Sequence, residues 1–245
     1  MIQVAQNGDR PRGAHPALPV TLAELVADAT ACLAAGAASV HLHPRRPADG
    51  LESLSAQVCD PVVAAIRSAA PRLEISLSTS QLIALDGAGD RVEAVCAWRE
   101  PPDVVSLNLA EEGSIELGSA LLERGIGIEA GIFDLGDADA LLAAPWSDRV
   151  TRVLVETIFE HDDASAVGLA GAIDARVAAL DRPRLWHGDD RATWAVVDAG
   201  LAAGHDVRVG LEDSLVERDG TPAPSNPDQV TRALARLHRR RRPTS

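Results

Sequence analysis

The sequence is poor in aromatic residues. Its 245 residues include four tryptophans, two phenylalanines and no tyrosine. Surfaces that bind single-stranded nucleic acid or sugars stack their ligands on aromatic side chains, so the composition disfavours both. No apolar run reaches the length of about 18 residues that a membrane helix needs, and Met1 leads directly into IQVAQNGDR rather than into a signal peptide. We therefore expect a cytoplasmic protein that contacts no membrane.

Positive charge and paired cysteines are also scarce. The net charge of −13 disfavours a nucleic-acid partner. The basic run at residues 236–245 is a local exception, which we expect to be a solvated helix end, where cations suit the helix dipole. Cys32, Cys59 and Cys96 show no CxxC spacing, so we expect three free, buried thiols in a reducing compartment.

The chain alternates regularly between short β-rich runs and longer alanine-rich helical runs, without a linker. The predicted strands are residues 2–6, 38–43, 73–78, 103–108, 127–133, 152–156, 184–188 and 206–212, and the predicted helices are residues 21–36, 53–69, 115–124, 137–144, 164–180, 190–203 and 226 onward. Eight such units predict a single-domain (β/α)8 TIM barrel over residues 1–245. An open doubly wound sheet is the alternative, but QNGDRPRG after the first strand lacks its GxGxxG turn.

Two of the seven histidines, His41 and His43, lie two residues apart at the end of the second strand. Side chains at this spacing share one face of a strand. In a barrel, strands two and eight are separated by strand one alone, so their ends lie about 10 Å apart. Glu212 ends strand eight, and two histidines with one carboxylate are typical of catalytic zinc sites. We predict one divalent ion, with zinc first, at His41, His43 and Glu212; two hydrogen-bonded core histidines are the alternative.

Two charged residues adjoin this group. Asp213 follows Glu212, and Arg208 lies on the same face of strand eight. Asp213 could act as a general base toward a metal-polarised substrate, and Arg208 could bind a carboxylate or keep Asp213 ionised. The alternative is a buried ion pair that only fixes the end of the strand.

Other strand ends carry smaller polar groups. Hydroxyl, amide and acidic side chains at a barrel rim suit the binding of a small carboxylate or carbonyl oxygen, or shape specificity. Rim residues without a function and helix caps are the alternative interpretation. The candidates are Ser78, Thr79, Ser80, Ser106, Asn108, Glu129, Glu156, His187 and Asp189.

Two stretches resemble one known family. AGAASVHLHPRRPADG and VRVGLEDSLVERDGTPAPSNPDQV closely resemble segments of the β-keto acid cleavage enzymes, whose founding activity is 3-keto-5-aminohexanoate cleavage. PALPVT before the first stretch, and ISLSTS and SLNLA between the two, fall in the matching order. The resemblance thus covers most of the chain, with the two flanking motifs as its specific part.

The resemblance implies a zinc-dependent (β/α)8 barrel that is commonly a homotetramer. Such an enzyme condenses a β-keto acid with acetyl-CoA as co-substrate and releases acetoacetate and a new acyl-CoA by a Claisen and retro-Claisen route. His41, His43 and Glu212 would hold the zinc ion, and Asp213, assisted by Arg208, would remove the proton between the two carbonyl groups. Ser78 and Ser106 match positions that hold the substrate in the family, and from their places at strand ends we expect Thr79, Asn108 and Glu129 to contact it as well.

The chain departs from the family pattern at three places. Thr79-Ser80-Gln81 stands where Thr-Gly-Gly is usual, Gly131 stands where a second acid often follows Glu129, and Glu156 stands where glycine is usual. Without an acid at position 131, the resemblance disfavours an amino-keto acid and implies an altered acyl substrate. A zinc-dependent hydrolase or aldolase without a CoA step is one alternative, and a catalytically silent barrel that binds a metal or ligand is another.

Overall fold

The computed structural model describes residues 1–160 and 162–241, with side chains described through Arg239 except that of residue 161. Eight parallel strands close into a barrel in chain order. The strands are β1 Ile2–Ala5, β2 Ser39–Leu42, β3 Glu74–Ser78, β4 Val104–Asn108, β5 Gly127–Ile132, β6 Arg152–Thr157, β7 Arg184–Gly188 and β8 Asp206–Val209. Closure comes from β1, in which Gln3 is aligned with Ser39 of β2 and with Arg208 of β8. The predicted (β/α)8 barrel is confirmed, and the open sheet is excluded.

Each strand is followed by a helix that packs on the outside of the barrel. The helices are α1 Leu22–Ala35, α2 Ala56–Ala69, α3 Arg91–Cys96, α4 Ser114–Glu123, α5 Leu135–Ala143, α6 Asp163–Arg176, α7 Thr193–Ala203 and α8 Asn226–Arg241. Helix α1 begins with a capping box, since Thr21 accepts from the N–H of Glu24 and the Glu24 carboxylate accepts from the N–H of Thr21. Only α3 was not predicted; it has six residues, too few for a helical period to be recognised.

A polar network, rather than an apolar layer, fills the lower interior of the barrel. At its centre is Glu129, which is fully buried. Its carboxylate accepts hydrogen bonds from Gln3 at 2.7 Å, from Ser76 at 2.6 Å and from Arg152 at 3.1 Å. Arg152 also binds both oxygens of Glu74 at 2.7 Å. We call these five residues the floor network, because they lie beneath the site described below.

The expectations for the thiols and the basic run are met only in part. Cys32 and Cys59 are free and lie in the hydrophobic core as predicted, but Cys96 is exposed, so its predicted burial is wrong. Helix α8 carries the basic run as far as Arg241, and residues 242–245 lie outside the described residues. Within the described ranges, the helices are all too short or too polar to cross a bilayer.

Candidate active site

His41, His43 and Glu212 converge at the carboxyl end of the barrel. The Nε2 atoms of the two histidines lie 3.2 Å apart. Glu212 Oε1 lies 3.6 Å from His41 Nε2 and 3.7 Å from His43 Nε2. One ligand atom from each residue falls within 4.8 Å of the other two, which is the arrangement that a single metal ion requires. The structure therefore brings together the three residues that the sequence predicts as metal ligands.

The loop after β1 fixes this group from one side. Asn7, which is fully buried, accepts from the N–H of His43 at 3.0 Å and donates to its carbonyl at 3.0 Å. The next residue, Gly8, has φ +53°, and a Cβ there would lie 2.5 Å from Cγ of Glu212. Glycine at position 8 therefore leaves the space that the Glu212 side chain occupies.

The turn after β8 delivers Glu212 from the other side. Gly210 has φ +157°, and a Cβ there would collide with the carbonyl of Ala5 on β1. The next N–H, that of Leu211, donates to Oδ1 of Asn226 at 2.7 Å. Asn226, the first residue of α8, thus accepts from the backbone just before Glu212 and ties the turn to the helix.

The far nitrogen of each histidine also has a partner. His41 Nδ1 lies 3.0 Å from Oγ of Ser76, which in turn donates to Glu129 of the floor network. His43 Nδ1 is in hydrogen-bond contact with Glu52. Such partners orient metal-binding histidines and fix which nitrogen faces the ion. Burial, followed by the charge of Arg208, holds the pKa of His41 well below its ordinary value, so the ring is in the neutral form that binds metals.

These residues fit a divalent ion on their own chemistry. Both Nε2 atoms and a carboxylate oxygen point at one small space, and no hydrogen-bond donor from a described residue reaches the buried Oε2 of Glu212. Two nitrogens and one oxygen are a donor set that zinc and similar ions accept, with further coordination positions left for a substrate.

Arg208 holds Asp213 beside the metal ligands. Its Nη2 donates to Asp213 Oδ1 at 2.7 Å, its Nε lies 3.2 Å from both Asp213 oxygens, and Nη2 also reaches Glu212 Oε1 at 2.6 Å. Burial alone would lower the pKa of Arg208, but the charges of Asp213 and Glu212 more than offset it and raise the pKa. The guanidinium therefore stays charged and fixes the direction of the Asp213 carboxylate.

A chain of polar contacts continues from Asp213 across the mouth. His187 Nδ1 lies 3.5 Å from Asp213 Oδ1, and His187 Nε2 lies 3.0 Å from Glu156 Oε2. Both His187 and Glu156 are buried. One imidazole ring thus separates the two carboxylates.

These groups line one cavity of about 470 Å³ at the barrel mouth. The residues from the sequence prediction that line it are His41, His43, Ser78, Ser80, Ser106, Asn108, Glu156, His187, Asp189, Arg208, Glu212 and Asp213. Two predicted substrate contacts, Thr79 and Glu129, do not line it. Thr79 is fully buried and donates to the carbonyl of Ser106 at 2.6 Å, whereas Glu129 lies one layer deeper in the floor network. Both expectations are therefore corrected.

Sequence reasoning missed two groups at the site. One comprises the supporting residues Asn7, Glu52 and Ser76, whose partners depend on the fold. The other is an apolar wall formed by Phe133 and Phe159, whose ring centroids lie 5.5 Å apart. Since the chain has two phenylalanines in all, their positions just after β5 and just after β6 were a usable signal.

A comparison with protein families decides the classification. The model of the β-keto acid cleavage enzymes matches residues 1–244. The chain belongs to this family. Among curated proteins, it is 25% identical over 243 residues to the 3-keto-5-aminohexanoate cleavage enzyme of Fusobacterium nucleatum subsp. nucleatum, covering 90% of this chain and 84% of that one. The enzyme of the same name from Acetoanaerobium sticklandii is 24% identical over 244 residues, with the same coverage.

Solved structures support the fold. The apo structure of ObcA superposes with a TM-score of 0.74 at 20% identity. The match covers 92% of this chain and 62% of that chain, so the present protein spans less than two thirds of the length of ObcA. The type I 3-dehydroquinate dehydratase of Clostridium difficile gives a TM-score of 0.64 at 12% identity, covering 97% of this chain and 92% of that one. At these identities the likeness extends to the barrel alone.

Proposed function

We propose that this protein exchanges the acyl group of a β-keto acid with acetyl-CoA, giving acetoacetate and a new acyl-CoA, at one zinc ion held by His41, His43 and Glu212. The observation that carries the proposal is the placement of Asp213. It follows a metal ligand directly, is 3% exposed, and faces the same cavity as the ligands. A site that only bound a metal would need neither this carboxylate nor its arginine.

The residues around the cavity would have different roles in this reaction. His41, His43 and Glu212 would hold a divalent ion, which when bound would polarise the carbonyl and carboxylate oxygens of the keto acid. Asp213 Oδ1 or Oδ2 then takes the proton from the carbon between those two groups, as a general base. Arg208 orients Asp213 through its Nε and Nη2 atoms. The hydroxyls of Ser78 and Ser106 line the cavity and can hold substrate oxygens.

The absence of lysine from the sequence supports a metal in this role. All 23 basic residues counted as lysine or arginine are arginine. An enzyme without lysine cannot activate a ketone as a lysine Schiff base, which is the common metal-free way to acidify the neighbouring carbon. The group of His41, His43 and Glu212 offers polarisation by a metal ion in its place.

The relatives support the substrates. ObcA has been solved with oxaloacetate, and also with a C4-CoA adduct and oxalate, so that protein accommodates a keto acid and a CoA derivative. The curated relatives are both named for cleavage of a keto acid. We propose the same pairing of keto acid and CoA thioester here, and a homotetramer as in many members of the family.

Zinc-loaded protein should release acetoacetate from acetyl-CoA and at least one member of a panel of β-keto acids. Zinc content should be measured on the same preparation. If no keto acid gives acetoacetate while zinc is bound, the proposal is wrong. Products formed with water in place of acetyl-CoA would identify the hydrolase or aldolase alternative.

A further inference from the structure

A carboxylate outside the barrel is held by neutral donors alone. Asp28 lies on α1, partly buried on the helix that packs against α8. Within the described part of the chain it forms no ion pair, and its Oδ2 atom accepts from Gln6 Nε2 at 2.8 Å, from Asn226 Nδ2 at 3.0 Å and from the thiol of Cys32 at 3.7 Å. Burial raises the pKa of Asp28. A carboxylate buried among neutral groups costs free energy, which points to a role other than stability.

Asn226 joins this carboxylate to the turn that carries Glu212. It is fully buried, and its Nδ2 donates to Asp28 Oδ2 and to the carbonyl of Gln6 at 3.1 Å. With two acceptors on the nitrogen side, Oδ1 of Asn226 faces the N–H of Leu211 and accepts from it at 2.7 Å. A rotated amide would set a nitrogen against that N–H and an oxygen against Asp28. Asp28 therefore helps to decide which end of the amide meets the turn.

The position of Glu212 depends on this contact. The N–H of Glu212 reaches the carbonyl of Ala5 at 3.3 Å, which is long for a hydrogen bond. The contact of Leu211 with Asn226, at 2.7 Å, is much shorter. Because Leu211 directly precedes Glu212, a shift of the Asn226 side chain would move the carboxylate that faces the two histidines.

Gln6 joins the same carboxylate to His41. The side chain of Gln6 is fully buried, and its Nε2 donates to Asp28 and to the carbonyl of Leu25 at 3.0 Å. The backbone N–H of Gln6 donates to the carbonyl of His41 at 2.9 Å. One oxygen atom on α1 thus holds two side chains, and their residues hold the backbone at His41 and just before Glu212.

We propose that Asp28 is a positioning residue of the metal site, which acts through Asn226 and Gln6 to fix the backbone that carries Glu212 and His41. The inference rests on the proposed function, because it takes Glu212 and His41 as ligands of a metal ion. A carboxylate suits this role since it presents acceptor atoms only, so it holds the nitrogen of Asn226 in every orientation.

The test is the zinc affinity of the purified protein, measured by competition with a chromophoric chelator. Asp28→Ala removes the acceptor and should weaken zinc binding by about tenfold, the lower end of the effect of residues behind a metal ligand. Asp28→Asn keeps an oxygen for the same donors, so its zinc affinity should stay nearer to that of wild type than to that of Asp28→Ala.

Asp137→Ala is the matched control. Asp137 is a buried carboxylate on another outer helix, α5, and it accepts from the N–H of Phe133 at 2.9 Å instead. This control should bind zinc as wild type does. Equal zinc affinities in Asp28→Ala and Asp137→Ala overturn the proposal, and so does an equal loss in Asp28→Ala and Asp28→Asn.

An exchange of partners decides the matter if Asp28→Ala does not fold. In Asn226→Asp, two carboxylates face each other across the 3.0 Å contact, and zinc affinity should fall. Adding Asp28→Asn places an amide donor opposite the new carboxylate and should recover part of the loss. A double variant that binds zinc no more tightly than Asn226→Asp overturns the proposal.

Hydrogen exchange of the same proteins separates this inference from the proposed reaction. Peptides that contain Leu211 should exchange faster in Asp28→Ala than in wild type, whether or not the protein releases acetoacetate. Faster exchange and weaker zinc binding, without acetoacetate release by wild type, reject the reaction and support the positioning role. Unchanged exchange at Leu211 rejects the positioning role, whatever the activity.

Discussion

The two sides of the barrel mouth are built in different ways. On the metal side, formed by His41, His43, Arg208, Glu212 and Asp213, nearly every polar atom is held by another, and Arg208 alone makes four hydrogen bonds of 2.6 to 3.2 Å. Because its groups are already oriented, such a network does not have to rearrange during the reaction. The metal side is therefore suited to one fixed chemical step.

The acyl side has the opposite character. It consists of Ser106, Asn108, Phe133, Glu156 and Phe159, and two of its acceptor oxygens converge on a space without a donor. Its Phe159 is 71% exposed at the rim. A barrel with one preorganised side and one incompletely paired side can keep its reaction while its substrate changes, which is how this fold supports different specificities.

The largest expected effect tests whether the metal side is catalytic or only structural. Asp213→Asn keeps an oxygen that accepts from Nε and Nη2 of Arg208, loses the acceptor at the other oxygen and removes the base, so acetoacetate release should fall by about 10² to 10⁴. Zinc content should stay unchanged, because none of the three ligands is altered. Rates from substrate-saturated assays and metal analysis by mass spectrometry measure both. Asp219→Asn, an exposed change six residues along the chain, is the control.

A variant that keeps more than a tenth of the activity would contradict the assignment of Asp213. Arg208 and Asp213 would then form a structural ion pair beside the metal site. The order of the metal side would serve stability, not catalysis.

The second effect concerns the floor network below the metal side. Arg152 is 5% exposed and is the charged partner of the fully buried Glu129. Arg152→Met leaves that carboxylate with neutral partners only, and it should cost about 3–5 kcal/mol in the free energy of unfolding. Urea unfolding measures it. Adding Glu129→Gln to the variant should recover part of the loss, and a double variant less stable than Arg152→Met would contradict the role of the pair.

The metal side could be predicted from sequence because its residues are local. Within HLH, and within the run from Arg208 to Asp213, the spacing of the residues tells which side chains share a face. Eight alternating units then indicate a closed barrel, in which the ends of the second and eighth strands lie close together. Glu129 was misplaced because strand parity predicts that a side chain points inward but does not give its depth. Glu129 is aligned with Arg152, the first residue of β6, and so belongs to a lower layer.

The acyl side could not be predicted, because its key contact lies between two strands. Gly131 is aligned with Leu154, and Glu156 follows two residues later on the same face. Along the chain, Gly131 and Glu156 lie far apart, and no sequence pattern connects them. Only the pairing of β5 with β6 shows that one side chain fills the space left at the other position.

A smaller effect connects the floor to the metal side. Ser76→Ala removes the partner of His41 Nδ1 while leaving the ligands in place, so zinc affinity should fall by about tenfold or more. Competition with a chromophoric chelator measures it. Ser39→Ala is a matched control: Ser39 is also fully buried in the barrel, but its Oγ accepts from Gln3 instead. Equal zinc affinities in the two variants would show that the floor does not orient the metal side.

The smallest effect concerns Asp189, at the edge of the metal side. Burial, followed by the charges of Asp190 and Asp213, raises the pKa of Asp189 from 3.8 to about 6. Because the folded pKa lies above the unfolded one, ionised Asp189 destabilises the fold above about pH 6. The penalty disappears as the pH falls from about 6 to about 4, since the folded protein binds the proton first.

Asp189→Asn removes this penalty. The variant should therefore be more stable than wild type by about 1 kcal/mol at neutral pH, with solvent screening of this partly exposed group allowed for, and equally stable near pH 4. Urea unfolding across this pH range measures the difference. If the free energies of unfolding of the two proteins ran parallel across this pH range, Asp189 would be solvated and would not interact with Asp213. The edge of the metal side would then lie at His187.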